Sequence, residues 1–325
     1  MDLSPKVSVL LPVLDEAESI DDCLASLAAQ DYQGPWELIV ADGGSTDDTA
    51  ARVVAWEEKI PGLVRIDNPG RIQTHGLNAA AGRAQGEILV RADGHTTYAP
   101  DYLSQSLRSL LDSSAVAVGG LQIAVGSSAV GRAVAAAMRS PLAVGPALYR
   151  QAESVREVDT VYLGCFRRSD FLSLGGFRTL PSKVAEDADF YFRIRAGGGK
   201  VVLDPSIRST YRPRDSLAAV ARQYFQYGLG KADLLYVNGR WPTWRPLGPS
   251  LLLVALAATL IVGVASTWAP VVVLVSAWLL ALLIAGGGNL LVAVVAAVMQ
   301  LGYGIGLLRG LLRSPKRVRA SVSVS

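Results

Sequence analysis

The chain has 325 residues, half of them hydrophobic, and 31 basic against 28 acidic residues give a formal net charge of +3. Its length suffices for one large domain or two ordinary ones. Two cysteines, Cys23 and Cys165, are too few for a disulfide framework or a thiolate metal site. Basic residues do not interleave with aromatic ones, so no nucleic-acid partner is expected. The first apolar run, from Val7, is too short for a secretory signal.

Three apolar runs early in the chain each lead into acidic residues. The runs and their acids are 7–12 with Asp15 and Glu16, 38–41 with Asp42, and 87–92 with Asp93. Helical patterns separate the runs, which predicts βαβ units and a parallel sheet. Capping of a turn or helix explains each acid taken alone. Three acids at consecutive strand ends favour a shared site, because ligands bind beyond the carboxyl ends of parallel strands. There Asp42 would accept hydrogen bonds from a base or ribose.

Asp93 and His95 stand two residues apart, so both could reach one ion. A carboxylate suits Mg²⁺ or Mn²⁺, and such an ion would neutralise a diphosphate. Simple solvation also explains a lone histidine in a turn. The metal prediction therefore rests mainly on Asp93.

A second acidic centre lies downstream, where Glu186 and Asp187 begin a predicted helix that stops at the glycines 197–199. Another strand is predicted over 200–205. The helix dipole favours acidic residues at this position, so they could simply mark the helix start. If a nucleotide site lies nearby, Asp187 instead becomes a candidate general base.

An apolar tract follows: from Pro246 to Leu308 there is no Asp, Glu, Lys, Arg or His. A membrane-spanning helix needs about 20 apolar residues, and breaks in the tract predict three segments near 250–266, 270–285 and 289–308. Arg240 and Arg245 precede it, and five Lys and Arg residues follow between 309 and 319. Basic flanks prefer the cytoplasm, which favours an even number of crossings. Two or three transmembrane helices both remain open.

These patterns divide the chain into three parts. A catalytic α/β domain is predicted over 1–245, a transmembrane region over 246–309, and a basic cytoplasmic-type tail over 310–325. All 28 acidic residues lie before residue 246, so the tail is purely basic. A basic tail beside membrane helices fits anionic lipid headgroups.

Together, Asp42, Asp93 and Asp187 resemble the conserved acids of the family-2 glycosyltransferases, which have the GT-A fold. Further segments match that family in order: 7–16 its first strand and turn, 40–47 its base-binding strand end, 76–88 the helix and strand before its Asp-x-Asp, and 164–168 with 174–177 its acceptor side. The resemblance covers about residues 5–235. The segments 211–217 and 222–231 resemble, more loosely, the subgroup that builds succinoglycan-type exopolysaccharides.

The resemblance implies a role for each matching residue. Asp42 would contact the base, with Pro12 and Glu16 lining the same nucleotide pocket. Asp93 would contact the ribose or a diphosphate-bound Mg²⁺ or Mn²⁺. Asp187 would deprotonate the acceptor hydroxyl, and a single displacement would invert the anomeric centre.

Two departures from the family pattern matter. His95 stands where the family has its second metal-binding Asp, so the metal dependence that the resemblance implies rests here on Asp93. The Gln-x-x-Arg-Trp motif of processive synthases becomes Gln223-Tyr-Phe-Gln-Tyr227, which favours transfer of single sugars. Arg222 and Lys231 could contact the acceptor diphosphate, although a solvated basic face also explains both.

The apolar tract and its basic flanks predict a multi-pass enzyme of the cell membrane whose catalytic domain faces the cytoplasm. The resemblance implies that it would transfer one sugar from a nucleotide-diphospho-sugar, most simply a UDP-sugar, to a polyprenyl-diphosphate-linked glycan. Two alternatives stay open: transfer onto a polyprenyl monophosphate, and an inactive scaffold subunit of a polysaccharide assembly complex. A dinucleotide-dependent oxidoreductase is excluded, because the turn after the first strand lacks Gly-x-Gly-x-x-Gly.

Overall fold

A computed structural model describes residues 4–145, 148–150, 152–241 and 247–324. The predicted boundary between the catalytic and apolar regions, at 245 and 246, lies outside the described residues, and so does Arg245. Residues 1–3 of the predicted first domain and Ser325 of the tail also lie outside them.

Eleven strands and thirteen helices form the described parts of the chain. The strands are β1 Val7–Val13, β2 Trp36–Asp42, β3 Leu63–Asp67, β4 Ile88–Arg91, β5 Thr96–Tyr98, β6 Ala117–Ala124, β7 Arg156–Glu157, β8 Tyr162–Arg167, β9 Arg178–Thr179, β10 Val201–Tyr211 and β11 Ser323–Val324. The helices are α1 Ile20–Ala28, α2 Thr49–Val54, α3 Gln73–Arg83, α4 Tyr102–Asp112, α5 Ala129–Arg139, α6 Pro141–Val144, α7 Arg168–Ser173, α8 Glu186–Ala196, α9 Leu217–Asn238, α10 Gly248–Ala265, α11 Ala269–Ala285, α12 Leu290–Leu311 and α13 Pro315–Ala320.

The central sheet has the strand order β3-β2-β1-β4-β8-β6-β10-β5, with β7 paired to β10. Strands β1 to β4 are parallel, as predicted, and so are β6 and β10. Strand β8 is antiparallel to both β4 and β6, and β5 is antiparallel to β10, so the sheet is mixed. Because β8 lies between β4 and β6, the chain that leads from β8 to α8 starts next to β4.

Helices cover both faces of this sheet. Alternate residues of a strand point to opposite faces, and in β1 Val9 and Leu11 pack with α1 and α4 whereas Leu10 packs with α3 and α8. The second face is rich in phenylalanine: Phe166, Phe171, Phe177 and Phe190 contact one another there. The resulting three layers hold the strand ends rigidly in place.

The apolar tract forms α10, α11 and α12. Two of them, α10 and α12, are long and apolar enough to cross a membrane, and α11 is one residue shorter than the 18-residue α10. Most of α10 is exposed, whereas about half of α12 is buried against the rest of the protein.

Glycines allow α12 to pack closely on α9. A Cβ atom on Gly306 would collide with the carbonyl oxygen of Phe225, and one on Gly228 with that of Tyr303. Gly302, Gly306 and Gly310 repeat every four residues along α12, a spacing that lets helix backbones approach in membrane proteins. This contact anchors the apolar helices to the catalytic domain.

The basic tail also folds back on the catalytic domain. In α13, Val318 is buried and the Nε of Arg319 donates to the carbonyl oxygen of Tyr236 in α9 at 2.7 Å. Strand β11 pairs with β9. Just before α13, Arg313 forms an ion pair with the buried Asp233 of α9 at 3.3 Å. The tail is therefore packed against α9 and β9.

Candidate active site

The site is built at one edge of the sheet, where β1, β2 and β4 end side by side. Val13, the last residue of β1, is level with Asp42, the last residue of β2. On the other side of β1, the amide of Ala92 donates to the carbonyl oxygen of Leu10 at 2.8 Å. Asp93 follows directly, so the parallel register brings Asp42 and Asp93 to the same edge.

Asp42 is buried and caps the turn that follows β2. Its Oδ1 accepts hydrogen bonds from the amide of Ser45 at 2.9 Å and from the Ser45 hydroxyl at 2.8 Å. Gly44 in this turn has a φ of +72°, which favours glycine. One carboxylate oxygen thus fixes the loop, which holds the carboxylate rigidly at the sheet edge.

The loops after β1 and β2 are joined by two further acids. Asp15 Oδ1 accepts from the amide of Thr46 at 2.7 Å, and Asp47 Oδ2 accepts from the amide of Ala17 at 3.0 Å. These contacts are the turn-capping interactions that the residue types favour. Asp15 and Asp47 therefore shape the edge on which Asp42 lies.

Pro12 is buried in β1, opposite Ala41 of β2. It lies under the first turn of α3, where a Cβ on Gly76 would come within 3.1 Å of its ring. A side chain larger than glycine would push α3 away from the strand ends.

Glu16 joins the first loop to His95. Its Oε1 lies 3.3 Å from His95 Nδ1, and its Oε2 accepts from the Ser19 hydroxyl at 3.0 Å. Burial opposes protonation of His95, but the hydrogen bond to Glu16 and the charge of Asp93 outweigh it and raise the pKa of the histidine. His95 is therefore oriented by a carboxylate rather than simply solvated.

Asp93 is buried and held by several contacts. Its Oδ1 accepts from Gln73 Nε2 at 2.8 Å. Its backbone exchanges two hydrogen bonds with the Tyr98 hydroxyl, at 2.7 and 3.2 Å. The Sγ of Cys23 lies 3.5 Å from its carbonyl oxygen. These contacts fix the position of Asp93 at the end of β4.

A buried arginine connects Asp93 to the second acidic centre. Arg91 Nη1 lies 3.1 Å from Glu186 Oε1, and its Nε lies 3.8 Å from Asp93 Oδ1. Burial opposes the charge of Arg91, but the charges of Asp93, Glu186 and Asp187 outweigh it and raise its pKa. The N-terminus of α8 is thereby held beside the end of β4.

Asp187 is the second residue of α8 and is partly exposed. Its Oδ1 accepts from the amide of Ala188 at 2.6 Å. Lys231, half-buried on α9, faces Asp187 and Asp159; burial lowers the pKa of this lysine and those two charges partly offset the effect. The carboxylate of Asp187 is therefore accessible and lies near a cation.

Glu186 and Asp189, which flank Asp187, serve as internal anchors. Burial, more than the charge of Asp187, raises the pKa of Glu186 to about 7, although Arg91 opposes the shift. Asp189 is fully buried and pairs with Arg193 Nε at 2.8 Å. Both fix α8 and leave Asp187 as the acid with an exposed carboxylate.

The residues at this edge fit a divalent ion. Within the described ranges, no three His, Cys, Asp or Glu side chains group closely enough to hold a metal by themselves. Mg²⁺ and similar ions are usually held by one or two carboxylates together with phosphates of the substrate. Asp93 and His95, the latter oriented by Glu16 as metal-bound histidines are by an outer carboxylate, supply a donor set of that kind.

Sequence reasoning placed Asp42, Asp93 and His95 at one edge and missed two residues that support them. The sequence patterns do not single out Gln73, and they include Arg91 only as part of the apolar run 87–92. Arg91, at the end of the apolar run of β4, indicated a buried ion pair, because arginine is almost never buried without a partner. Its partner Glu186 lies 95 residues further on in the sequence.

Two family models match most of the chain. Residues 8–156 match glycosyl transferase family 2, and residues 90–286 match glycosyl transferase family group 2. The chain belongs to the family-2 glycosyltransferases. The predicted family and enzyme class are thereby confirmed.

Relatives of this glycosyltransferase include a succinoglycan biosynthesis protein, ExoA, of Rhizobium meliloti strain 1021. It is 29% identical over 321 residues, which cover 95% of this chain and 96% of the relative. The dolichyl N-acetyl-alpha-D-glucosaminyl phosphate 3-beta-D-2,3-diacetamido-2,3-dideoxy-beta-D-glucuronosyltransferase of Methanococcus voltae is 23% identical over 251 residues, covering 72% and 76% of the two chains.

Among solved structures, this glycosyltransferase is similar to the mannosyltransferase PcManGT of Pyrobaculum calidifontis, determined in complex with GDP-Man and Mn²⁺. The TM-score is 0.65 at 22% identity, and the match covers 96% of this chain and 90% of the other. The predicted GT-A fold, with helices flanking a sheet and apolar helices at the C-terminal end, is confirmed.

Proposed function

We propose that this glycosyltransferase moves one sugar from a nucleotide-diphospho-sugar to a glycan linked to polyprenyl diphosphate. The observation that supports this most directly is the series of contacts Asp93–Arg91–Glu186. It joins the sheet edge that carries Asp42 and Asp93 to the helix that carries Asp187. A donor bound beside Asp93 and an acceptor bound beside Asp187 would therefore lie next to each other.

In this proposal Asp42 contacts the base, with Pro12 and Glu16 shaping the pocket around it. Asp93 and His95 hold Mg²⁺ or Mn²⁺, which supplies positive charge for the leaving diphosphate. The solved mannosyltransferase structure with GDP-Man and Mn²⁺ supports a nucleotide-sugar donor and a metal. A UDP-sugar remains our expectation for the donor.

Asp187 takes the proton of the acceptor hydroxyl as that oxygen bonds to the anomeric carbon. The bond between the anomeric carbon and the diphosphate breaks in the same displacement, and the nucleoside diphosphate leaves with the bonding electrons. The anomeric centre inverts. Asp187 is partly exposed, so its carboxylate can reach the substrate.

The lipid-linked acceptor and a multi-pass location in the cell membrane belong to the same proposal. Helix α10 exposes large apolar residues, among them Leu251, Ile261 and Val264. Exposed apolar patches of this kind mark a contact surface for lipid or protein. We place 246–309 in the membrane and the catalytic domain, 1–245, on its cytoplasmic side.

The two relatives above also support an acceptor of this class. One is named for succinoglycan biosynthesis, and the other for action on a dolichyl phosphate carrying a sugar. Transfer onto a polyprenyl monophosphate and an inactive scaffold subunit are the alternatives. The scaffold predicts nucleotide binding without turnover, or no binding at all.

Donor binding tests the nucleotide side of the proposal. We would measure calorimetrically the affinity of the full-length protein in detergent for UDP, GDP and their sugars, with and without Mn²⁺. Asp42→Asn and Asp93→Asn are expected to weaken binding at least tenfold. Asp112→Asn, an exposed acid at the end of α4, is the matched control and should change nothing. Equal affinity in all four proteins would contradict the site.

A further inference from the structure

Arg150 is a partly buried cation whose charge no carboxylate among the described residues neutralises. It ends a short 3₁₀ turn, Leu148–Arg150, and its Nε is buried without a hydrogen-bond partner. Among the residues that the structure describes, no carboxylate forms an ion pair with it. Burying a charge without a counter-charge is costly. The position is therefore suited to an anion that comes from outside the chain.

Tyrosines surround this arginine. The guanidinium lies 5.2 Å from the ring centre of Tyr149. Burial opposes the charge of Arg150, but the nearby hydroxyls of Tyr149, Tyr224, Tyr227 and Tyr211 outweigh it and raise the pKa of the arginine. Hydroxyls and a guanidinium present hydrogen-bond donors without a negative charge.

A glutamine on α9 orients two of these hydroxyls. Gln223 Nε2 donates to the Tyr211 hydroxyl at 3.1 Å and to the Tyr227 hydroxyl at 3.0 Å. Because both oxygens accept from the amide, their own hydrogens are available to donate elsewhere. We call Arg150, Gln223 and the four tyrosines the tyrosine–arginine cluster.

The donors of this cluster match a phosphoryl group. Arginine offers a planar fork of N–H groups that fits phosphate oxygens in pairs, and hydrogen bonds to a charged acceptor are the strong ones. A neutral ligand would leave the charge of Arg150 without compensation.

The cluster lies between the candidate metal ligands and the apolar helices. The Tyr211 ring contacts the His95 ring edge-on, with 5.4 Å between their centres. On the other side, Tyr211 and Tyr224 share an apolar cluster with Val295 and Met299 of α12. This apolar cluster is buried, so a phosphoryl group bound here would lie between the candidate metal ligands and the base of the apolar helices.

We propose that the tyrosine–arginine cluster binds a phosphoryl group of the lipid-linked acceptor, and this rests on the function proposed above. A nucleotide donor also carries phosphoryl groups. The apolar helices beside the cluster favour the lipid as the source. Helix α12 exposes Val294 and Ile305, and a lipid chain can continue along such residues whereas a nucleoside cannot.

Binding of farnesyl diphosphate tests this assignment without any need for turnover. The full-length protein in nanodiscs of zwitterionic lipid would be titrated with farnesyl diphosphate, with inorganic pyrophosphate, and with the nucleoside diphosphate in the presence of Mn²⁺. Arg150→Met should weaken farnesyl diphosphate binding ~10–100-fold, the usual effect of lost hydrogen bonds to a charged group. The affinity of Arg150→Lys for farnesyl diphosphate should lie between those of the wild type and Arg150→Met.

Two further variants sharpen the test. Tyr227→Phe removes one oriented donor from a half-exposed ring and should weaken binding severalfold without unfolding the protein. Arg156→Met is the matched control, because Arg156 is an exposed arginine of β7 whose side chain donates to the Ser154 hydroxyl at 3.0 Å. It should leave every affinity unchanged.

The outcomes separate the two sources of phosphate. Unchanged affinity for the nucleoside diphosphate, together with weakened farnesyl diphosphate binding in Arg150→Met, supports the lipid assignment. Equal affinity for pyrophosphate and farnesyl diphosphate would overturn it, as would an equal loss of nucleoside diphosphate binding. No loss in Arg150→Lys and Tyr227→Phe would overturn the site itself. If the farnesyl diphosphate results contradict the lipid assignment but the nucleoside diphosphate binds normally, the proposed transferase function still stands.

Discussion

Replacement of Arg91 by methionine should be the most damaging single change near the site that leaves the candidate base and metal ligands in place. The side chains of Arg91 and Glu186 are each only 6% exposed, and their charged atoms lie 3.1 Å apart. In Arg91→Met the Glu186 carboxyl stays charged without a partner or takes up a proton, and either costs free energy. Breaking a buried pair costs about 3–5 kcal/mol.

The second partner allows a double-mutant cycle. Glu186→Gln removes the charge that Arg91 neutralises, and the double variant removes both. Because a buried pair can often be replaced by uncharged groups at little cost, the double variant should be more stable than Arg91→Met alone. We expect a coupling free energy of about 2 kcal/mol between these contacting sites.

Stability would be measured at pH 8 by chemical denaturation of the full-length protein in detergent. Arg52→Met is the control, because Arg52 forms a half-exposed ion pair with Asp21, and such surface pairs contribute ~1 kcal/mol or less. Equal, small effects of Arg91→Met and Arg52→Met, with additive behaviour in the cycle, would refute the bridging role of Arg91. Sugar transfer should also fall ~100-fold in Arg91→Met, because Asp93 and α8 lose their alignment.

Three more outcomes are expected. Glu16→Gln should weaken Mn²⁺ binding in the donor complex ~10–100-fold, because outer partners orient a metal-bound histidine; an unchanged Mn²⁺ titration would remove His95 from the metal site. Gly306→Leu should lower the melting temperature by forcing α12 away from α9, whereas Gly248→Leu, in open space on α10, should not; equal melting temperatures would refute the close packing. The pKa of Glu186 is raised to about 7 in the folded protein from 4.5, mainly by burial. The stability it contributes is complete below pH 4.5 and is lost as pH rises through 7, so the free energy of unfolding should fall by about 1 kcal/mol between pH 6 and 8. Glu186→Gln should flatten this slope, and an equally steep slope in the variant would show that another group titrates.

Local sequence patterns predicted the elements that form the sheet edge carrying Asp42 and Asp93. The runs that lead to Asp42 and Asp93 are the parallel strands β2 and β4. Helix α8 begins at Glu186 and ends just before the glycines 197–199, as predicted. Apolar strands that end in turn residues and helices that end in glycine depend on neighbouring residues alone. Such features can be inferred without knowledge of the fold.

The length of β10 was underestimated for a physical reason. Asp204-Pro205-Ser206 resembles a turn, and the predicted strand stops there. In the structure the register shifts between Leu203 and Arg208, and the strand continues to Tyr211. An irregularity of this kind tolerates a proline within a strand. The continuation matters because it brings Tyr211 next to His95.

Long-range pairings could not be inferred. The antiparallel insertion of β8 between β4 and β6 brings α8 to Arg91, and no local pattern encodes that pairing. Gln223 was noted as the remnant of a motif, but its contacts with Tyr211 and Tyr227 depend on how α9 packs against the end of β10. Arg150 gave no signal, because only the folded chain shows that no carboxylate in the described parts of the structure pairs with it.

Turnover with and without the candidate base tests the central claim most directly. Purified full-length protein would be supplied with a nucleotide-sugar, Mg²⁺ or Mn²⁺ and a lipid-linked acceptor mixture, and release of nucleoside diphosphate would be followed for wild type, Asp187→Asn and Asp112→Asn. We predict acceptor-dependent release that falls by about 100-fold or more in Asp187→Asn, with unchanged donor affinity, and normal release in Asp112→Asn. Equal turnover in all three proteins, or donor binding without turnover across the acceptor panel, would contradict the account.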